Sequence, residues 1–187
     1  MKRTQSQHKA KRRRSPRRSN KRRFVPPQSV EQFFAMSEQH QDLWRNGVQV
    51  VTELRAGASL RQASRKFDLD PRKTAQLFRP ALRKLKNGRW AAKNHDRLLR
   101  VLTLPSPKGL IEVGTQDSRQ ATVIGKYWNA VDLYRNTGDS SLLVGFRGTY
   151  ITDVEGKRIP LMTDLGELDR LGSAGVLSFE TLYARVA

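Results

Sequence analysis

The residues of this chain best suited to chemistry are Arg72, Lys73, Gln76 and Arg79. A guanidinium is a planar fork of donors, and a side-chain amide sets a donor beside an acceptor. On a helix, residues three and four apart share a face, so Arg72, Gln76 and Arg79 line one edge while Lys73 flanks it. Such an edge suits flat hydrogen-bonding surfaces, arginine pairing with guanine and glutamine with adenine. From Arg72 to Lys93 there are eight basic residues and no acidic one. A solvated helix face mixes signs, whereas a single-sign run beside such donors suits a row of phosphates. Arg83, Lys84, Lys86, Arg89 and Lys93 in that run, with Arg61, Arg65 and Lys66 just before it, are the candidate backbone contacts. Trp90 lies among these bases and is read as the edge of a core in preference to a stacking platform.

The elements that must position these groups are two short helices around a tight turn, over 59–79. Ser59 with Gln62 three residues on has the form of a capping box. Leu60, Ala63 and Phe67 fall on one helical face. Asp68 and Leu69 make the turn, because aspartate tolerates left-handed geometry. Asp70 caps the next helix and Pro71 opens it, where a missing N–H costs nothing. Thr74, Leu77 and Phe78 then face inward, and Arg72, Lys73, Ala75, Gln76 and Arg79 outward. Upstream, the pattern predicts a short helix over 29–36 and a longer one over 38–56, with Leu43, Gly47, Val50, Val51 and Leu54 as its apolar stripe and Gly57 as its cap. Pro80 breaks or kinks the second short helix near Arg79. Leu82 and Leu85 predict that an apolar helical stripe continues to about Lys86, closed by Asn87-Gly88.

Over 43–86 the chain resembles the homeodomain-like helix-turn-helix of resolvases, transposases and pipsqueak-type proteins. The residues that carry the resemblance are Val51-Thr-Glu-Leu-Arg-Ala-Gly57, Ser59-Leu-Arg-Gln-Ala63 and Asp70-Pro-Arg-Lys-Thr74. The pattern departs at Asp68, where glycine is usual, and at Thr74, where a larger aliphatic is usual. The resemblance implies a DNA-binding unit whose second helix enters the major groove.

Charge is divided unevenly. The formal net charge is +19, of which +12 lies in residues 1–23, +7 in 24–98 and none in 99–187. The first 23 residues hold 12 lysines and arginines and no acid. Within them Lys11, Arg12, Arg13, Arg14, Arg17, Arg18, Lys21, Arg22 and Arg23 form a basic arm. Like charges without apolar anchors predict a disordered arm over 1–28, suited to phosphate contact by counterion release. The same residues fit a nuclear-localisation segment if the host is a eukaryote, or a solubilising tail.

Beyond residue 97 the pattern changes to a small α+β unit. Hairpins are expected at 99–104 with 109–113, and at 150–152 with 158–162. Helices are expected from 115–118 to 136, at 140–146, from Thr163 to Gly172, and at 178–185. The expected fold is therefore mainly α: an arm over 1–28, a three-helix helix-turn-helix domain over 29–96, and an α+β domain over 97–187 with two hairpins.

Enzyme classes find little support. The chain has no cysteine, and His8, His40 and His95 do not share a ligand spacing, so no metal or cofactor is expected. Acids such as Asp117, Asp139, Asp153 and Asp164 stand at caps and turns. No phosphate-binding loop, nucleophile elbow or dinucleotide loop is present. His95-Asp-Arg97 lacks the spacing of a tyrosine recombinase. The expected partner is double-stranded DNA, with no membrane and with a second copy or another protein engaged through 97–187. The expected location is cytoplasmic and nucleoid-associated, or nuclear in a eukaryote. Three readings stand: a sequence-reading DNA-binding protein, a nucleic-acid-binding structural protein of little specificity, and a protein-interaction module whose two helices only pack.

Overall fold

The computed structural model describes residues 24–177. The arm up to residue 23 and the helix expected at 178–185 lie outside the described residues. The rest folds around two apolar clusters.

The first cluster gathers Phe33, Trp44, Val50, Val51, Leu54, Ala63, Phe78, Leu82 and Leu99. Its helices are α1 (Val30–Phe34), α2 (Glu38–Arg55), α3 (Leu60–Lys66) and α4 (Pro71–Leu77). Helix α2 turns Gly47, Val50, Val51 and Leu54 inward as the stripe predicts, together with Val48. The first stripe position is taken by Trp44, not by the expected Leu43, which stays half-buried outside the cluster. Phe24 lies edge-on to His40 at 5.4 Å and stacks on Trp44 at 6.1 Å. Residues 24–28, expected to belong to the arm, are thus tied to α2 by one aromatic residue.

After α4 the chain departs from expectation. A short 3-10 turn, Arg79–Ala81, leads into β1 (Leu82–Lys84), which pairs antiparallel with β2 (Trp90–Ala92). The helical stripe expected through Leu82 and Leu85 does not form. Pro80 removes a backbone donor and ends the helical ladder. Gly88, at φ +79°, then lets the chain reverse, with Gly88 N donating to Leu85 O at 2.9 Å and Leu85 N to Arg89 O at 2.7 Å. Leu82 and Ala92 point into the core against α2, while Leu85 stays on the surface. We call this hairpin the wing.

The second cluster is built on β3 (Arg100–Ser106) and β4 (Gly109–Thr115), with α5 (Ser118–Thr137) across them. The β3–β4 turn is shorter than expected. Pro105 and Ser106 pair with Leu110 and Gly109, which leaves only Pro107-Lys108 in the loop. Asp117 caps α5, and Gly138 ends it in the left-handed conformation at φ +75°. Then come α6 (Ser141–Val144), the hairpin β5 (Tyr150–Thr152) with β6 (Arg158–Pro160), and α7 (Leu165–Ser173). Asp164, not Thr163, caps α7, accepting from Glu167 N at 2.8 Å.

One segment joins the clusters. Trp44 Nε1 donates to Leu99 O at 2.9 Å, and Trp128 Nε1 of α5 donates to Thr103 O at 3.0 Å. Among the described residues there are seven α-helices and three two-stranded antiparallel sheets. The fold is therefore mixed α+β, not mainly α, and it has a third hairpin, one 3-10 turn after α4. Among the described residues no helix is long and apolar enough to cross a membrane.

Candidate nucleic-acid interface

Local chemistry sets α3 and α4. Ser59 Oγ accepts from Gln62 N at 3.3 Å, and Gln62 Oε1 accepts from Ser59 N at 3.2 Å, the reciprocal capping box. Asp70 Oδ1 accepts from Lys73 N at 2.8 Å, with Pro71 at the first helical position. Between the helices Asp68 sits at φ 52°, and Leu69 N donates to Ser64 O at 2.8 Å. Thr74 is buried, and its hydroxyl donates to Asp70 O at 2.9 Å. That bond satisfies the polar atom that a larger aliphatic would not bring.

Tertiary packing fixes how α3 and α4 sit on α2. Phe78 follows α4 and is fully buried. Its ring lies 5.2 Å from the Trp44 ring and directly over Gly47. Small Ala63 on α3 is also buried in this cluster.

With this framework in place, Arg72, Lys73 and Gln76 are all exposed on α4. Among the described residues no side-chain hydrogen bond or ion pair engages them. Arg79 is exposed as well, but it stands on the 3-10 turn after α4 has ended. It therefore does not extend the α4 edge as the spacing predicts. The wing carries Arg83 and Lys84 on β1 and Lys86 and Arg89 in its loop, all exposed.

Two of the candidate backbone contacts have other partners. Lys66 Nζ lies 2.6 Å from Glu53 Oε1 and over the Phe67 ring, so it ties α3 to α2. Lys93 Nζ donates to Pro80 O at 2.7 Å and fastens the base of the wing. Arg61 and Arg65 remain exposed on α3 without such partners. The arm residues Lys11 through Arg23 lie outside the described residues.

Arg61, Arg72 and Arg89 come together around one cleft of about 500 Å³, with Ser59, Leu60, Pro71, Ala75 and Trp90 as its other walls. Trp90 is half-buried and packs on the first cluster, as the core-edge expectation has it, and it also lines the cleft. Single-residue reading missed this convergence, since α3, α4 and the wing contribute one arginine each. The Asn87-Gly88 pair was a usable signal, being a strong short-range mark of a hairpin.

A larger groove, about 580 Å³, runs between α2, β3 and α5. At its edge Asp96, with no exposed side-chain surface, binds two arginines. Arg100 lies 2.9 Å away and Arg55 2.5 Å. Burial pushes the Asp96 carboxyl up, but its bonds to Arg100, Arg55 and Leu98 N outweigh that and hold it below the usual range. Among the described residues no cluster of His, Cys, Asp and Glu could hold a metal ion.

Comparison of the chain with protein-family models, curated proteins and solved structures finds no match.

Proposed function

We propose that this chain is a sequence-reading DNA-binding protein of helix-turn-helix type, a transcription regulator or an accessory protein of a mobile element or phage. One observation carries this reading. Helix α4 presents Arg72, Lys73 and Gln76 to solvent, unpaired, beside a hairpin whose exposed charges are all basic. A seven-residue helix fits a major groove about 12 Å wide. Gln76 lies on the outward face in the last turn of α4 and reads a base edge, with Lys73 one turn before it. Arg83, Lys84 and Lys86 of the wing and Arg65 of α3 meet phosphates, and Arg79, past the helix end, does the same. The resemblance of 43–86 to homeodomain-like modules supports the same partner. The basic arm adds affinity without sequence preference.

The test is selection of binding sites from random duplex DNA by the full chain at fixed salt. The expected outcome is an enriched motif. A pool that stays random while binding weakens steeply with salt would replace this reading by the non-specific one.

A further inference from the structure

We infer that the cleft between α3, α4 and the wing is a clamp for a single backbone phosphodiester of duplex DNA. Arg61, Arg72 and Arg89 close on the phosphate, and the Trp90 ring carries the adjoining sugar. The inference rests on the reading of this face as a DNA interface and assigns its parts.

Three observations lead to it. First, the arginines come from three separate elements yet line one concavity, and no acidic residue lines it with them. Second, none of the three guanidiniums has an ion pair or side-chain hydrogen bond among the described residues. Elsewhere in the fold arginines that line a groove are neutralised: Arg55 and Arg100 by Asp96, and Arg119 by Asp117. Three unpaired like charges around one cleft repel, and an anion between them turns that repulsion into charge-assisted hydrogen bonding. Third, each arginine stands on a fixed backbone. The Ser59–Gln62 box spans Arg61, the Asp70 cap precedes Arg72, and Arg89 O is held by Leu85 N.

The shape selects a phosphodiester over a base edge. Pro71 and Ala75 of α4 form the wall on the cleft side. Ala75 is short, which lets a sugar-phosphate chain approach the helix. Arg72 lies between this wall and the outward face. Its place beside Arg61 and Arg89 moves it from base reading, expected from spacing alone, to backbone positioning. Base contacts then fall to Lys73 and Gln76. A phosphate fixed at this point sets the register in which α4 lies in the groove.

Salt dependence tests the stoichiometry. The affinity of the full chain for duplex DNA is measured across a range of salt, beside Arg61→Ala/Arg72→Ala/Arg89→Ala. The slope of log affinity against log salt falls by about 0.9 for each phosphate that is no longer neutralised. One shared phosphate predicts a triple-variant slope lower by about 0.9, whereas three independent phosphates predict about 2.7. The site profile of Arg72→Ala should match that of the unaltered chain. A decrease near 2.7, an unchanged slope, or a changed base preference in Arg72→Ala overturns the clamp while leaving the DNA reading intact. A full chain that binds no duplex overturns both. Inorganic phosphate, exchanged for chloride at constant ionic strength, should raise the melting temperature of the full chain and of the triple variant alike, since an excluded anion strengthens burial generally. A stabilisation by it that the triple variant lacks would assign the cleft to a small phosphate compound instead.

Discussion

Gly47 and Phe78 meet so closely that a Cβ on the glycine would overlap the Phe78 ring at Cζ. Gly47 is in the middle of α2, where glycine costs about 1 kcal/mol against alanine. Close approach of the ring that anchors the end of α4 explains its presence.

Gly47→Ala should therefore lose stability, because forced overpacking of a core costs about 1–3 kcal/mol and exceeds the gain in helix propensity. Gly125, inside α5, is the matched control, since nothing lies within 4 Å of a Cβ placed there. Gly125→Ala should gain about 0.5–1 kcal/mol. Urea unfolding of both variants checks the pair. An equal response at the two sites would contradict the Phe78 packing.

Asp68 takes φ 52° between α3 and α4, and its side chain has no hydrogen-bond partner among the described residues. A left-handed conformation strains any residue with a Cβ by about 1–2 kcal/mol, less for aspartate. Asp68→Gly should be neutral or stabilising, by up to about 1 kcal/mol, because glycine's greater freedom in the unfolded chain offsets part of the relief. Thermal melting decides it, and a clear drop in melting temperature would contradict the strain argument.

Asp96 binds Arg100 and Arg55 with no exposed side-chain surface. Asp96→Asn leaves the buried Arg100 guanidinium without a counter-charge and should cost about 3–5 kcal/mol. The pH dependence has a defined sign. The folded-state pKa is lowered, so the contribution is complete above the unfolded value of about 4 and is lost as pH falls through the lower folded value. Acid unfolding followed by circular dichroism should show a shallower acid limb in Asp96→Asn. An unchanged limb would remove Asp96 from the account of acid stability.

Gln76 and the wing should separate specificity from affinity. Gln76→Ala is expected to relax preference at one or two base pairs, since a bidentate contact gives about 1–3 kcal/mol of discrimination. Arg83→Ala and Lys84→Ala should weaken binding to every duplex alike. Binding-site profiles of each variant at one salt concentration make the comparison. A uniform loss for Gln76→Ala with an unchanged profile would mean that α4 is not a reader.

What the sequence determined by itself is local. The Ser59–Gln62 box, the Asp70-Pro71 start, the left-handed Asp68 and the α2 stripe from Gly47 to Leu54 each depend on residues at most about one helical turn from the next. Hydrogen bonds over that range form in much the same way whatever surrounds them. Exposure of Arg72, Lys73 and Gln76 followed from the same periodicity. The segment from Leu82 to Ala92 was different. Leu82 and Leu85, three apart, suit a helix, and only the packing of Leu82 and Ala92 on α2 gives the strand pairing its burial. Tertiary structure also took Lys66 and Lys93 into contacts with Glu53 and Pro80. It alone brought Arg61, Arg72 and Arg89 to one cleft, because convergence of side chains from three elements is set by packing angles, and the spacing along the chain does not encode those angles.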